Sequence, residues 1–257
     1  MNQSVLKALQ LLDLFDEQHP ELTLKEISEL SRLPKPTAYR LLQALEMRGF
    51  LMKTDEQDPR YRLGLKLLGL GQLVSDQLDL RQMARPLMEG LAYTINEAVH
   101  LVVVDGHQAT YIEKVDSQRA LRLFTKVGQS VPLFIGSGPK LLLAYMPEEE
   151  RLEVLEKHDM YSMTEEKPID KATLWDELVM IRQKGYALSI SEQDLDTTGI
   201  SFPILDYQGQ VLAALTVSGL SSRFEGDNLT FINKETKIAA NEISKRLGYS
   251  TAKKGVH

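Results

Sequence analysis

Apolar residues return at three- and four-residue intervals through the first quarter of the chain. Val5, Leu9, Leu12 and Phe15 predict a helix over residues 4–17 with one buried face, ended by His19-Pro20. Thr23 with Glu26 three residues on is a capping box, and Leu22 with Ile27 fits a hydrophobic staple. A second helix is therefore expected from Leu24, burying Leu24, Ile27 and Leu30. It must stop short of Pro34, because the residue before a proline avoids helical dihedrals. Pro36 suits the start of a third helix and Gly49 its end, with Ala38, Leu41, Leu42 and Leu45 on the inner side. The period then falls to two. Residues 50–53 and 60–63 predict a hairpin, with Tyr61 and Leu63 on one face and Arg60 and Arg62 on the other. Three short helices and a hairpin in this order predict a winged helix-turn-helix over residues 1–66.

Leu65, Leu68, Leu73 and Leu78 continue at helical spacing, so residues 67–80 are expected to form a linker helix, kinked or frayed at Gly69 and Gly71. A helix over 81–96 should turn Met83, Leu87, Met88, Leu91 and Ile95 inward. Beyond it the pattern predicts strands at 99–104, 109–115 and 121–124, helices at 138–146, 148–158 and 170–184, and strands at 186–191, 200–205 and 211–218. A terminal helix is expected over 228–247. The fold class is α+β: residues 81–249 form an antiparallel sheet with flanking helices, and the polar stretch 250–257 is expected to be a disordered tail.

Charge sharpens the reading of the first unit. The net charge of the 257-residue chain is -6. Residues 1–66 are nevertheless balanced, and residues 32–66 carry four more basic than acidic side chains. The outer face of the third helix presents Pro36, Arg40, Gln43 and Met47, flanked by Thr37 and Tyr39. Such a face can lie in a major groove, with Arg40 suited to guanine and Gln43 to adenine. Lys35, Thr37 and Tyr39 are placed for phosphates. Arg32, Arg60 and Arg62 complete the expected DNA-contacting set, while the wing tip at residues 55–58 is acidic and should stay clear of phosphates. The competing reading is a three-helix interaction module with a solvated charged face. The order of caps, Pro34, Pro36, Gly49 and the basic hairpin favours DNA.

The chemistry of the remainder is read largely by exclusion. There are no cysteines, which excludes disulfides, thiolate nucleophiles and Cys-ligated zinc. No apolar run is long enough to span a bilayer and no secretory leader is recognisable, so a cytoplasmic protein with no membrane partner is expected. His19, His100, His107, His158 and His257 are scattered without metal-ligand spacing. Phosphate-binding glycine loops and nucleophile elbows are missing too. No catalytic residue, metal or cofactor is expected. The alternative kept open is an enzyme or metal-binding sensor, with His100 and His107 on the sheet and the helical unit serving only oligomerisation.

Leu33-Pro34-Lys35-Pro36-Thr37-Ala38-Tyr39-Arg40-Leu41-Leu42, then Leu45-Glu46-Met47-Arg48-Gly49-Phe50 and Arg60-Tyr61-Arg62-Leu63-Gly64, resemble the IclR family of bacterial transcriptional regulators. So do Gly128–Leu133 leading into Gly136–Lys140, Gly185-Tyr186-Ala187, Gly199–Ile204 and Ala213–Gly219. The family usually has serine where Pro36 stands and glycine where Pro139 stands. The resemblance implies a GAF-like effector-binding domain whose ligand contacts fall at Val131, Ser137, Gly138, Ser189, Gly199, Thr216 and Ser218. It also implies dimer contacts in the DNA-binding unit and further contacts between effector domains.

Physical reasoning agrees with a pocket there. Gly136–Pro139 opens a helix whose N-terminal amides and dipole attract an anion, although Pro139 withholds one donor. Thr216 and Ser218, two apart on a strand, point to the same face. Without the resemblance these would be read as a helix cap and sheet-interior hydroxyls. With it, a small polar effector, a carboxylate-bearing metabolite, is expected. Glu192, Asp194 and Asp196 weigh against an anion if they face inward. The expected partners are double-stranded DNA at a palindromic operator, the small-molecule effector, and further copies of the chain as a homodimer or dimer of dimers.

Overall fold

The computed structural model describes residues 2–16, 18–54, 59–76, 79–119, 125–157, 160–164 and 167–250. The chain divides into two compact units, Met1–Leu78 and Asp79–His257.

In the first unit, α1 spans Gln3–Leu12, capped by the Asn2 side chain. It ends five residues before the expected stop, and it buries Leu11 where Val5 and Leu9 were expected to face inward. Val5 and Leu9 are about half exposed. The reason lies in the breadth of the apolar arc. Leu6, Ala8, Leu11 and Leu12 share it with Val5 and Leu9, and a helix this short can present only part of it to α3. A two-residue strand β1 (Leu22–Thr23) precedes α2 (Leu24–Leu30). Both halves of the capping box form: Thr23 Oγ1 accepts from the Glu26 amide, and Glu26 Oε2 accepts from the Thr23 amide at 2.7 Å. The Thr23 amide and hydroxyl, then burial in the other direction, then the Arg60 charge, leave the Glu26 carboxyl below its usual range. Ile27 is fully buried, while Leu30, expected in the core, is half exposed near the helix end.

The third helix, α3, spans Lys35–Met47 with Pro36 in its first turn and Ala38, Leu42 and Leu45 buried. It is followed by β2 (Leu51–Lys53) and β3 (Arg60–Leu63). The hairpin gains a third strand that the pattern did not reveal, because β1 pairs with β3 (Leu22 opposite Tyr61). Two residues are too few for any periodicity to register. Tyr61 is buried as expected, but Leu63 is 43% exposed. The helix α4 (Leu65–Asp76) runs unbroken through Gly69 and Gly71, so it does not fray there. Nothing lies within 4 Å of where a Cβ would stand at either glycine, so neither marks a close approach. Gly64 does. A Cβ there would sit 2.2 Å from the Gly49 carbonyl oxygen, and the Gly64 amide donates to the Phe50 carbonyl at 2.8 Å.

The second unit opens with α5 (Asp79–Ile95), whose inner face is Ala84, Met88, Leu91, Ala92 and Ile95. Then follow β4 (Ala98–Asp105), β5 (Gln108–Val115), β6 (Ser130–Pro132), α6 (Ser137–Tyr145), α7 (Glu148–Lys157), α8 (Lys171–Lys184), β7 (Ala187–Ile190), β8 (Thr197–Leu205), β9 (Val211–Leu220) and α9 (Gly226–Arg246). The six strands form one antiparallel sheet in the order β6-β5-β4-β9-β8-β7. Alternation along β9 sends Leu215 and Val217 into a core with α5 and α9. Ala214 points to the other core, beneath α6 and α8. The expected α+β architecture is present, and α6 packs directly over the centre of the sheet. The strand expected at 121–124, the wing tip at 55–58 and all but Ser250 of the expected tail lie outside the described residues.

Among the described residues of this unit two carboxylates, Glu97 and Glu113, are buried. Glu97, 1% exposed, accepts a two-pronged hydrogen bond from Arg223 and pairs with Arg119 at 3.3 Å. Glu113 receives Arg81 at 2.9 Å and Arg85 at 3.2 Å.

His100 on β4 is fully enclosed. Its Nε2 meets Ser218 Oγ at 3.0 Å, and its ring stands edge-on to Tyr111. Burial first, and the Lys114 charge second, lower its pKa to about 3. An unfolded imidazole takes up a proton below about pH 6.5, whereas this one stays neutral down to about 3, so acid favours the unfolded chain across that window. We therefore expect native protein to lose about 1.6 kcal/mol more stability than His100→Asn between pH 6.5 and pH 5, the slope rising from half of about 1.4 kcal/mol per pH unit towards its full value. Urea denaturation across that range measures the difference, and parallel curves would contradict it.

Candidate DNA-reading helix and effector cavity

The helix-turn-helix geometry follows from the turn between α2 and α3. Arg32 adopts a left-handed backbone at φ 55°, which ends α2 and redirects the chain. Ser28 Oγ donates to the Leu33 carbonyl at 2.7 Å and holds the turn closed. Pro34 stands at the N-cap of α3 without a side-chain cap, so Lys35 and Pro36 begin the helix at an exposed end. Of the expected DNA-contacting residues, Arg32, Lys35, Pro36, Tyr39, Arg40, Gln43 and Arg62 are exposed, and Thr37 is half-buried. Gln43 Nε2 donates to the Tyr39 hydroxyl at 3.0 Å, one turn apart on the same face. Arg60 is half-buried on β3, opposite Thr23 of the capping box. Glu46 and Lys53 pair at 3.2 Å, tying the back of α3 to the hairpin.

In the second unit, six of the seven expected effector residues converge on one cavity. Ser137 and Gly138 come from the first turn of α6, Ser189 from β7, Gly199 from β8, and Thr216 and Ser218 from β9. Val131 does not line it; it is buried in the core beneath α6. Glycine at 138 and 199 is what allows the convergence. A Cβ at Gly138 would fall 2.6 Å from Thr216 Oγ1, and one at Gly199 would fall 2.7 Å from Ser137 Oγ and 3.1 Å from Ser189 Oγ. The hydroxyls form a buried chain: Ser201 Oγ donates to Ser137 Oγ and lies 2.8 Å from Thr216 Oγ1.

The loop after β7 closes over the cavity. Glu192 turns inward, its Oε2 accepting from the Gly136 amide at 2.8 Å, directly at the start of α6. Its other oxygen pairs with the ammonium of Lys140, which is 2% exposed and also binds Glu177 of α8. Gln193 accepts a hydrogen bond from the Tyr111 hydroxyl at 3.1 Å and donates to the Ile135 carbonyl. It packs where a Gly136 side chain would be, and Gly136 itself sits at φ 92°. Burial pushes the Tyr111 phenol up, so it remains a donor. The enclosed volume is about 30 Å³, room for little more than a water molecule. The anion position at the helix start is thus filled by a carboxylate of the protein.

The residues missed from sequence are Tyr111, Lys140, Glu177, Ser201 and Gln193. Only the acidic character of residues 192–196 gave a signal. Of that acidic loop, Glu192 and Asp194 line the cavity. Among the described residues no cluster of His, Asp and Glu could hold a metal ion, and no helix is long and apolar enough to cross a membrane.

Comparison with known proteins agrees with both units. Residues 4–55 match the IclR helix-turn-helix domain, and residues 72–245 match the bacterial transcriptional regulator IclR C-terminal domain. The HTH-type transcriptional regulator KipR of Bacillus subtilis is 36% identical over 97% of this chain and 98% of its own length. XynR of Escherichia coli is 32% identical over 96% of this chain and 98% of its own. Among solved structures, an IclR homolog from Microbacterium hydrocarbonoxydans, complexed with 4-hydroxybenzoate, superposes with a TM-score of 0.82. It is 25% identical and the match covers 95% of this chain and 99% of that one. With a capped helix-turn-helix in one unit, a sheet-and-helix cavity in the other, and relatives of this similarity over nearly the whole length, the chain belongs to the IclR family of DNA-binding transcriptional regulators.

Proposed function

We infer that this regulator reads a palindromic operator as a homo-oligomer through Lys35–Gln43 of α3, and that a small carboxylate bound at the start of α6 modulates that binding. The observation that carries the reading is the carboxylate of Glu192 seated on the Gly136 amide. A site that holds one carboxylate by geometry suits another supplied by a ligand. The effector would displace Glu192, lift the loop, and place its polar groups against Ser137, Ser189, Thr216 and Ser218. The 4-hydroxybenzoate in the Microbacterium homolog belongs to the same ligand class. A ligand of this kind changes operator affinity only by as much as it prefers one arrangement of the two recognition helices over another.

Oligomerisation is supported by the exposed apolar residues of the first unit. Leu65, Leu68 and Leu73 on α4 are 78%, 70% and 59% exposed, and Val5 and Leu9 on α1 form a second open stripe. One recognition helix also spans too few base pairs for a unique site, so two copies at half-sites about one DNA turn apart fit the reading. A cytoplasmic location follows from the proposed DNA partner.

Two outcomes are expected. Replacing Arg40 and Gln43 together by alanine should cost about 2–6 kcal/mol of operator affinity, on the order of 1–3 kcal/mol for each base contact. Binding to unrelated duplex should be nearly unaffected. Fluorescence anisotropy with operator and scrambled DNA makes the comparison, and equal losses on both would show that these side chains do not read sequence. Glu192→Gln removes the competing charge while keeping the side chain's shape. It should tighten binding of small monocarboxylates, 4-hydroxybenzoate included, by about tenfold, or about 1.4 kcal/mol. Calorimetric titration of both proteins is the measurement; no acid binding to either would remove the carboxylate reading.

A further inference from the structure

A second cavity in the effector unit shares Glu192 with the first but differs from it in size and character. Its volume is about 250 Å³, somewhat below the range of about 300–1,000 Å³ that accommodates drug-sized ligands. It is therefore matched to a molecule of modest size. Phe134, Ile169 and Leu174 give it apolar walls, and Lys140, Glu177 and Glu192 form a charged end. Asp170 adds a third carboxylate to the lining.

The charges decide what can enter. Lys140 is almost fully buried and its ammonium is held by two carboxylates at once, so it has little to offer an incoming anion. Both oxygens of Glu192 are engaged, one by Lys140 and one by the Gly136 amide. Asp170 caps α8 through the Thr173 amide and hydroxyl, which hold its carboxyl below the usual range. Glu177 is different. Its Oε1 meets Lys140, its Oε2 has no described partner, and its side chain is 37% exposed. The lining therefore carries one ammonium against three carboxylates, with one acceptor oxygen to spare beside an apolar wall. An anion placed here would face an uncompensated negative end; a cation would complete it.

We propose that this cavity is a second ligand site, selective for small organic amines: an ammonium group paired with Glu177, and an aliphatic or aromatic body against Phe134, Ile169 and Leu174. Its preference for amines follows from its own lining, whatever the first cavity binds. Because Glu192 borders both cavities, occupancy of this one is felt at the strap over the other.

The test uses the full-length protein and calorimetric titration with hexylamine, benzylamine and phenethylamine. Hexanoate and phenylacetate serve as probes of similar size and opposite charge. Saturable binding of at least one amine is expected, with neither acid entering this site. Glu177→Gln should weaken the amine at least tenfold. Thr173→Trp, a substitution at an exposed helix position that lines the cavity, should abolish binding by filling the space. Thermal melts of both variants establish that they are folded, and either variant suffices if the other is not. The proposal is overturned if no amine saturates, or if amines bind the folded variants as tightly as they bind the native protein. It also falls if an acid binds and Thr173→Trp removes that binding.

Discussion

A lysine ammonium taken out of water must be neutralised where it lies, and Lys140 is the group on which the effector unit is organised. Leaving such an ion unpaired in the interior would cost several kcal/mol, so the fold has to bring carboxylates to it. It brings two, from elements far apart in sequence: Glu177 from α8 and Glu192 from the loop after β7. Meeting that requirement fixes α8 against α6 and pulls the loop down across the start of α6. Glu192 then has one oxygen left over, which the Gly136 amide takes. The closed cavity, the engaged helix start and the wall between two cavities of different character all follow from one buried cation.

This arrangement was only partly legible beforehand. The glycines and hydroxyls of the cavity could be placed, because a helix start and a two-residue strand period are local patterns. Lys140 could not, since a lysine two residues into a helix reads as solvent-facing, and no local pattern links it to positions 177 and 192. Ser201 was passed over for a similar reason. Its neighbours Ile200 and Phe202 set the apolar face of β8, and nothing in that alternation shows that the opposite face meets another hydroxyl. In the first unit the capping box and the punctuation of α2 and α3 by Pro34, Pro36 and Gly49 match the structure, because each acts over four residues or fewer. The inner face of α1 was misread because its apolar arc is wider than the surface available to cover it.

The two units meet their polar requirements in opposite ways. The effector unit buries charge: Glu97, Glu113 and Lys140 are each nearly inaccessible and each is held by two partners. The DNA-binding unit leaves its cations outside, with Arg32, Lys35, Arg40 and Arg62 all exposed, and builds its interior from Leu11, Ile27, Leu42, Leu51 and Tyr61. Exposed cations of this kind stay hydrated and free to exchange water for an anionic partner. Charges that hold a fold cannot be left to exchange with solvent.

The contact between Gly64 and Gly49 has a mechanical meaning. Gly49 ends the recognition helix and Gly64 begins α4, and the two backbones touch with no side chain between them. The Lys66 ammonium, stacked 4.7 Å from the Phe50 ring centre, braces the same joint. Side chains can absorb a displacement by changing rotamer, but touching backbones cannot. Within the first unit, the end of α3 and the start of α4 therefore share a joint with no side chain to yield, and any residue with a Cβ at position 64 would have to push the two backbones apart.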